Sequence, residues 1–230
     1  MIEILFEDDY IILVNKPAMV LSQPSFDKKR IPIKDQLEQQ RPDLVNKLYL
    51  HHRLDFETSG VFLISKSTIS NAPLTLMFQN HEFEKNYLCL VKPHQLKAGK
   101  KVQCEIIHQE SEWIIKNYMA PAKGVIKHKK RMISVKSGGW PAETHFKVLQ
   151  KWENYFSVLA TPKTGRTHQI RQHLQESSMS IMGDNIYGGS SNVVPRLMLH
   201  AWKLTFKHPH FKNIMTVEAP LPKDFVTLLK

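Results

Sequence analysis

The sequence predicts an α+β domain, because it combines many short strand-like runs with few helices and shows no regular strand–helix alternation. The clearest strand covers residues 61–64, four consecutive apolar residues that directly follow a Thr-Ser-Gly turn. Residues 83–92 then alternate with the period of a strand and stop at Pro93, whose ring cannot continue a ladder. No internal repeat, low-complexity tract or linker divides the chain, so we expect one domain over residues 1–230.

Besides the strand at residues 61–64, the first part of the chain is predicted to hold two strands and two helices. Residues 2–6 and 10–15 are apolar runs on either side of a Glu-Asp-Asp turn. Residues 32–40 indicate a short helix with proline near its start, which ends before the Arg-Pro pair that follows. A second helix is expected over residues 67–80, with Ser67 as its N-cap.

The second part is predicted to be mostly strand. One short helix is expected over residues 166–176, where Ile170, His173 and Leu174 fall at helical spacing. Residues 183–189 contain Gly-Asp-Asn and Tyr-Gly-Gly, which is turn chemistry, and a terminal helix is expected over residues 222–229. Strands are expected at residues 102–107, 113–118, 132–135, 144–149, 155–160, 196–201, 204–206 and 214–218.

The composition is that of a basic globular protein. Lysine and arginine number 32 against 21 aspartate and glutamate, which gives a net charge of +11 and a pI near 9.6. This excess favours a polyanionic partner. The two cysteines lack metal-type spacing and fit a reducing compartment. The acidic N-terminus differs from a signal peptide, and no apolar run reaches the roughly 20 residues of a membrane span. We therefore expect a cytoplasmic protein without membrane association.

The loop at residues 51–60 is the first candidate site. It places Arg53 two residues before Asp55, directly ahead of the buried strand at residues 61–64. A carboxylate and a guanidinium held beside a core strand would form a rigid charged site. A tight turn, in which Asp55 caps backbone N–H groups and pairs with Arg53, explains the same window without any function.

The second candidate site is the segment at residues 164–173. If a helix begins after Gly165, Arg171 shares one face with Thr167 and His168. Arginine, histidine and glutamine near a helix start suit phosphate oxygens and sugar hydroxyls. Taken alone, a solvated helix with a basic stripe is the simpler interpretation.

No metal or nucleotide site is indicated. His168 and His173 are five residues apart, where two ligands on one helical face need four, and no carboxylate completes a set. Glycine-rich phosphate loops and a serine nucleophile elbow are missing as well. Asp55, Tyr87 and Arg171 are left as candidates for chemistry. Basic runs at residues 97–101 and 123–131 add positive charge, and the sequence does not decide whether they contact phosphates.

The His-Arg-Leu-Asp and Thr-Ser-Gly segments within residues 52–60 resemble the signature of the RluA-type pseudouridine synthases. Further motifs occur in the order of that family and extend the resemblance over about the whole chain. They are Asn-Lys-Pro at residues 15–17, Lys-Asn-Tyr at 85–87, Gly-Arg-Thr-His-Gln-Ile-Arg at 165–171, Gly-Asp at 183–184 with Tyr-Gly at 187–188, Arg-Leu-Met-Leu-His-Ala at 196–201 and His-Pro at 208–209.

The resemblance implies a pseudouridine synthase fold: a mixed, mostly antiparallel central sheet with flanking helices and an active-site cleft across its middle. It also implies an isomerase that converts uridine in ribosomal or transfer RNA to pseudouridine, with no metal, nucleotide or other cofactor. Many relatives carry a small S4 RNA-binding domain in front. This chain starts directly in the catalytic domain, so we expect that domain alone to recognise structured RNA, as a monomer.

The resemblance implies a catalytic group formed by Asp55, Tyr87 and Arg171. Asp55 would act as the nucleophile, and must be ionised to do so. Burial would raise its pKa, and the Arg171 guanidinium would oppose that rise and orient the carboxylate. Tyr87 would stack on the target base and help to remove the proton from carbon.

The resemblance also implies residues that hold the RNA. The target uridine must leave its stack, and Arg53 is expected to enter the vacated space. Leu199 would line the base pocket, and Leu197 is the alternative because the register of the strand is open. The backbone or sugar would be held by Arg166, His168 and Gln169.

Two other functions fit parts of the sequence. A non-catalytic RNA-binding or RNA-folding protein could keep the same scaffold, but all three presumed catalytic residues are present. A metal-dependent hydrolase of phosphate esters would need a ligand cluster, which the sequence does not show.

Overall fold

The structure, a computed structural model, describes residues 1–25, 27, 29–93, 105–122, 131–189 and 192–229. The chain groups into two compact units. Unit 1 is Met1–Lys85 with His200–Val226, and unit 2 is Asn86–Leu199 with Thr227–Lys230. The single domain expected over the whole chain stays a prediction. The basic run at 97–101, most of the run at 123–131 and the start of the strand expected at 102–107 lie outside the described residues.

The described residues form twelve strands and four α-helices, which confirms the α+β class. Pro42–Leu44 adds one turn of 3-10 helix. In chain order the elements are β1 (Glu3–Glu7), β2 (Ile11–Lys16), α1 (Ile33–Gln40), β3 (Ser59–Ser65), α2 (Thr68–Gln79), β4 (Glu84–Pro93), β5 (Glu105–Gln109), β6 (Glu112–Pro121), β7 (Met132–Val135), β8 (Trp140–Lys151), β9 (Phe156–Pro162), α3 (Gln169–Glu176), β10 (Met179–Ile181), β11 (Leu199–Lys207), β12 (Ile214–Glu218) and α4 (Lys223–Leu228).

The sheet of unit 1 is mixed. Strand β2 pairs antiparallel with β1 and β3, β3 pairs parallel with β11, and β11 pairs antiparallel with β12. Every residue of β3 is buried, as the apolar run at 61–64 predicts. The parallel pair depends on Gly60, because a Cβ there would lie 2.1 Å from the Ala201 carbonyl oxygen and its φ is +117°. The core packs α2 against this sheet and includes Ile11, Leu13, Val61, Leu63, Leu74, Phe83, Leu204 and Phe206.

Helices α1 and α2 of unit 1 begin within one residue of the predicted starts. Pro32 is the N-cap of α1, and its fixed φ of −64° suits that position. Ser67 caps α2 by accepting a hydrogen bond from the Ile69 N–H at 3.2 Å. Pro73 lies inside α2, and the helix nevertheless continues to Gln79.

Unit 2 is an antiparallel sheet with one helix packed on it. Its strand order is β4-β9-β8-β6-β5, and β10 pairs with β4 and β7 with β6. Helix α3 packs against β8, β7, β9 and β10. The mixed, mostly antiparallel character expected from the resemblance is therefore confirmed. The cleft expected across the sheet stays a prediction.

Several predicted boundaries are wrong, and one strand was not predicted. Helix α3 begins at Gln169 and not at Arg166, because His168 takes a left-handed conformation with φ 55° and ψ 20°. The two strands expected at 196–201 and 204–206 are one strand, β11, which starts at Leu199. The sequence also missed β10, whose three residues are too few to show a period.

Candidate active site

The predicted site residues divide between the two units. Arg53 and Asp55 belong to unit 1. Those in unit 2 are Tyr87, Arg166, His168, Gln169, Arg171 and Leu199. The convergence of Asp55 with Tyr87 and Arg171 stays a prediction.

In unit 1 the loop at residues 51–58 has the irregular backbone that the sequence predicts, and His52 anchors its start. The Leu63 N–H donates to His52 Nε2 at 3.1 Å, and the imidazole stacks on Phe78 at 4.8 Å. Burial, together with the positive charge of Lys85, lowers the pKa of His52 to about 3. The neutral ring can therefore accept the backbone hydrogen bond from β3 at physiological pH.

The residues on both sides of Asp55 are also fixed. The Leu54 N–H donates to Ser22 Oγ at 3.0 Å, and that hydroxyl donates to the Leu54 carbonyl at 2.7 Å. The Phe56 carbonyl accepts from the Met19 N–H at 2.8 Å. Asp55 itself is half-buried. Its carboxylate is thus carried by a loop whose backbone is held immediately before and after it.

Lys16 holds the loop of Asp55 through hydrogen bonds, a role that the sequence did not predict. The residue is fully buried at the end of β2. Its ammonium donates to the carbonyls of Pro17 at 3.0 Å, Val20 at 2.8 Å and Phe56 at 3.5 Å. In the sequence, Lys16 belongs to the Asn-Lys-Pro motif. That motif indicated the family but did not indicate a structural role for the lysine.

Arg53 lies on the surface of unit 1, between the anchored residues His52 and Leu54. The side chain of an exposed arginine on a fixed backbone is accessible to a bound nucleic acid. Its insertion into RNA stays a prediction.

In unit 2 the candidate Arg171 forms a buried two-point ion pair with Asp184. Arg171 Nε lies 2.8 Å from Asp184 Oδ2, and Nη2 lies 2.9 Å from Oδ1. The two side chains are 3% and 0% exposed. Burial alone would raise the pKa of Asp184, but the hydrogen bonds and charge of Arg171 outweigh it, and the pKa lies below its usual range. The pair sets the plane of the guanidinium.

Asp184 is held by the turn that carries it. The N–H groups of Ile186 and Tyr187 donate to Asp184 Oδ1 at 2.9 and 3.0 Å. Gly183 has a φ of +79°, and a Cβ there would lie 1.9 Å from the Arg196 carbonyl oxygen. The Gly-Asp and Tyr-Gly motifs therefore form a rigid turn that fixes the position of the Asp184 carboxylate. The sequence marked this turn but did not identify Asp184 as the partner of Arg171.

The interpretation of α3 as a solvated helix with a basic stripe is wrong. The polar residues of this helix are mostly buried, and buried polar groups need hydrogen-bond partners. Thr167 and His168 also precede the helix, so the shared helical face predicted for them with Arg171 does not form. The buried polar residues of α3 are Gln169, Arg171, Gln172, His173 and Glu176.

The three residues expected to hold RNA backbone or sugar have different surroundings. His168 Nδ1 lies 3.3 Å from the Tyr187 hydroxyl, and the two rings meet edge to face. Arg166 Nε donates to the Pro141 carbonyl at 3.0 Å. Gln169 is buried and makes all four hydrogen bonds of its amide inside the protein. The Gln169 amide is thus satisfied within the protein, and the RNA contact expected from the sequence stays a prediction.

The remaining candidates lie in strands. Tyr87 is half-buried in β4 and faces Ala160 of β9. Leu199 is the first residue of β11, whereas Leu197, the alternative, precedes that strand. Both leucines are buried, so burial does not distinguish them.

Among the described residues, no three or more His, Cys, Asp or Glu side chains are grouped so that they could hold a metal ion. Within the same residues, every helix is too short or too polar to cross a membrane.

A family model for RNA pseudouridylate synthase matches residues 10–176 of the chain. The chain therefore belongs to the RNA pseudouridylate synthase family, and the resemblance seen in the motifs is confirmed.

Individual relatives agree with this assignment. The chain is 32% identical over 240 residues to ribosomal large subunit pseudouridine synthase D of Nitrosomonas europaea, a match that covers 100% of the chain and 64% of the relative. It is 34% identical over 229 residues to ribosomal large subunit pseudouridine synthase C of Yersinia pestis, which covers 95% of the chain and 65% of the relative. The chain thus spans about two thirds of the length of these curated relatives. Among solved structures, human RNA pseudouridylate synthase domain containing 1 matches with a TM-score of 0.75 and 25% identity, over 96% of the chain and 84% of that protein.

Proposed function

We propose that this protein is an RNA pseudouridine synthase that isomerises uridine to pseudouridine in large-subunit ribosomal RNA, with Asp55 as the nucleophile. The proposal includes a cytoplasmic monomer that binds structured RNA and needs no metal or nucleotide cofactor. Membership of the family supports the reaction, and the names of the relatives, ribosomal large subunit pseudouridine synthases, support the class of RNA. The observation that carries the proposal is the Asp55 loop, which is fixed on both sides of the carboxylate beside the fully buried strand β3.

The reaction is an isomerisation, so atoms and electrons balance within the nucleotide. The bond from the sugar C1′ to N1 of the base breaks, a bond from C1′ to C5 forms, the proton leaves C5 and N1 gains a proton. The base must turn between these steps without being lost. An ionised carboxylate on a rigid loop is suited to this task, because it does not have to be ordered again at each step.

Arg171 would keep the Asp55 carboxylate ionised and oriented. A guanidinium carries five N–H donors in one plane, and the pair with Asp184 fixes that plane through Nε and Nη2. A lysine could supply the charge but not this two-point geometry. Asp184 would therefore act as the residue that orients the Arg171 guanidinium.

The other candidates would hold the nucleotide. Tyr87 would stack on the target base and help to remove the C5 proton. Arg53, exposed on its anchored loop, would fill the place that the flipped uridine leaves. Leu199 would line the base pocket. Arg166 and His168 would contact phosphate or sugar from the segment before α3.

The decisive experiment uses total RNA from cells that lack this gene, because that RNA holds every target in unmodified form. Incubation with the purified protein is expected to create pseudouridine at defined positions of the large-subunit ribosomal RNA. Asp55→Asn, which has the same shape, should abolish the product while the protein stays folded and binds RNA. Asp9→Asn, at an exposed aspartate of the same unit, is the matched control and should keep full activity.

The outcomes separate the candidate functions. Pseudouridine formed at a transfer RNA position would show that the substrate is transfer RNA and not ribosomal RNA. RNA binding without any product would favour a non-catalytic RNA-binding protein on this scaffold. Normal turnover by Asp55→Asn would remove Asp55 from the role of nucleophile.

A further inference from the structure

A continuous chain of polar side chains, all buried except the half-buried Thr164, joins α3 to strands β6 and β8. We call this set the α3 polar chain. It lies entirely within unit 2, and each member contacts the next through a hydrogen bond. Its members, in order, are Thr164, Gln169, Thr144, His173, Asn117 and Glu176.

The backbone determines the direction of hydrogen bonding at one end of this chain. Gln169 Oε1 accepts from the Arg166 N–H at 3.0 Å, and Nε2 donates to the Glu143 carbonyl at 2.9 Å. An N–H can only donate and a carbonyl can only accept, so the amide cannot be reversed. Gln169 Nε2 therefore donates to Thr144 Oγ1 at 2.9 Å as well. The hydrogen of the Thr144 hydroxyl must then be directed elsewhere.

A carboxylate determines the direction at the other end. Asn117 Nδ2 donates to Glu176 Oε2 and to Gln172 Oε1, both at 3.1 Å. Glu176 also accepts a hydrogen bond from the Ser134 hydroxyl. Reversing the Asn117 amide would place its oxygen against the carboxylate, so Oδ1 must face His173.

The two ends meet at His173, which is fully buried. Its Nε2 lies 3.0 Å from Asn117 Oδ1, an acceptor, and therefore carries the proton. Its Nδ1 lies 2.9 Å from Thr144 Oγ1, whose hydrogen is available for it. Burial lowers the pKa of His173 to about 3, so the ring is neutral and has one proton to place. Both ends of the chain thus require the same tautomer.

From this geometry we propose that His173, as a neutral imidazole protonated on Nε2, is the positioning residue that holds Arg171 in place. Arg171 lies on α3 between Gln169 and His173, and both neighbours are bound to Thr144 of β8. A rotation or shift of the helix would break bonds at both points. Apolar packing alone would tolerate such sliding, whereas a fully satisfied polar chain specifies one register. This role rests on the proposed function of Arg171.

The first test compares two substitutions at Thr144, which is fully buried and is not itself a candidate for substrate contact. Thr144→Val keeps the shape and removes the hydroxyl, whereas Thr144→Ser keeps the hydroxyl. We expect the single-turnover rate of pseudouridine formation to fall roughly 10- to 100-fold in Thr144→Val, as a displaced catalytic group would cause. RNA affinity should be unchanged, and Thr144→Ser should restore most of the rate.

The rates are measured at a temperature where thermal melting shows both variants fully folded. A merely structural role would lower the melting temperature of Thr144→Val without changing its rate below that temperature, and this result would overturn the proposal. An inactive wild-type protein would remove the proposed function, and the positioning role with it. Equal rates of the two variants in an active enzyme would overturn the positioning role alone.

The second test needs no activity. In protein labelled with nitrogen-15, the ring nitrogens of His173 should show a proton on Nε2 and none on Nδ1 at neutral pH. In Thr144→Val, the Nδ1 signal should shift because its donor is lost. A proton on Nδ1, or on both nitrogens, would contradict the chain of hydrogen bonds and overturn the proposal even if Thr144→Val does not fold.

Discussion

Arg171 and Asp184 are joined at two points inside unit 2, with 2.8 Å between Nε and Oδ2 and 2.9 Å between Nη2 and Oδ1. The acid is held by two further backbone N–H groups of its own turn. An arginine aimed in this way presents its charge in one fixed direction. The catalytic use proposed for Arg171 therefore depends on a residue that would itself make no contact with the nucleotide.

Asp184→Asn should destabilise the protein, because it removes the carboxylate charge from a buried two-point ion pair with Arg171. Breaking a buried ion pair from one side costs about 3–5 kcal/mol of unfolding free energy. Urea denaturation measures this loss. Asp43→Asn, at an exposed acid that pairs with Arg41, is the control and should change stability little. Equal stability of the two variants would show that the Asp184 pair does not hold the fold.

Tyr87→Phe should lose most of its pseudouridine formation with little loss of RNA affinity. The ring that stacks on the base remains, but the hydroxyl proposed to help remove the C5 proton is gone. Single-turnover rates and filter-binding affinities on the same RNA measure the two effects. Tyr118→Phe, at a half-exposed tyrosine in β6 of the same unit, is the matched control. A Tyr87→Phe variant that fails only in binding would reassign Tyr87 to docking.

Stability should fall as the pH is lowered from 7 towards 4. The pKa values of His52 and His173 are lowered from 6.5 to about 3 in the folded protein. Between these values the unfolded chain binds more protons than the folded one, so acid favours unfolding. Each histidine contributes about 1.4 kcal/mol per pH unit in that range. At still lower pH the contribution of Asp184 is lost too, because its folded pKa lies below 3.8.

Urea denaturation at several pH values between 7 and 4 measures this slope. His210→Gln, at an exposed histidine, should leave the slope unchanged. An unfolding free energy that stays constant from pH 7 to pH 5 would contradict the neutral state of both rings.

RNA binding should weaken steeply with salt, because lysines and arginines displace counterions from phosphates. The logarithm of the affinity should fall linearly with the logarithm of the salt concentration. Arg166→Gln should reduce that slope by roughly 0.7–0.9, the contribution of one phosphate contact. Asp55→Asn is the control for this salt dependence, because it leaves every lysine and arginine in place. A flat salt response would argue against a phosphate-dominated interface.

Local signals let the sequence predict most of the elements. The apolar run at 61–64 became the buried strand β3, Ser67 became the N-cap of α2, and the strands at 132–135 and 214–218 have the predicted bounds. Proline, turn residues and strand period act over a few neighbours, and these are visible in a single sequence. The ordered motifs also predicted the family, because each is a short segment with a fixed spacing.

Tertiary structure decided what these residues contact. The sequence could not show that Lys16 donates a hydrogen bond to the Phe56 carbonyl or that Asp184 orients Arg171. Nor could it show that the Gln169 amide makes all its hydrogen bonds inside the protein. Nor could it show the left-handed turn at His168, which moved the start of α3. The contacts of Lys16, Arg171 and Gln169 depend on hydrogen bonds between residues that are not neighbours in the chain, and so does the contact between Asn117 and His173. The types and spacing of residues determined the family and the elements, whereas the partner of each buried polar group was decided only when the folded chain brought donors and acceptors together.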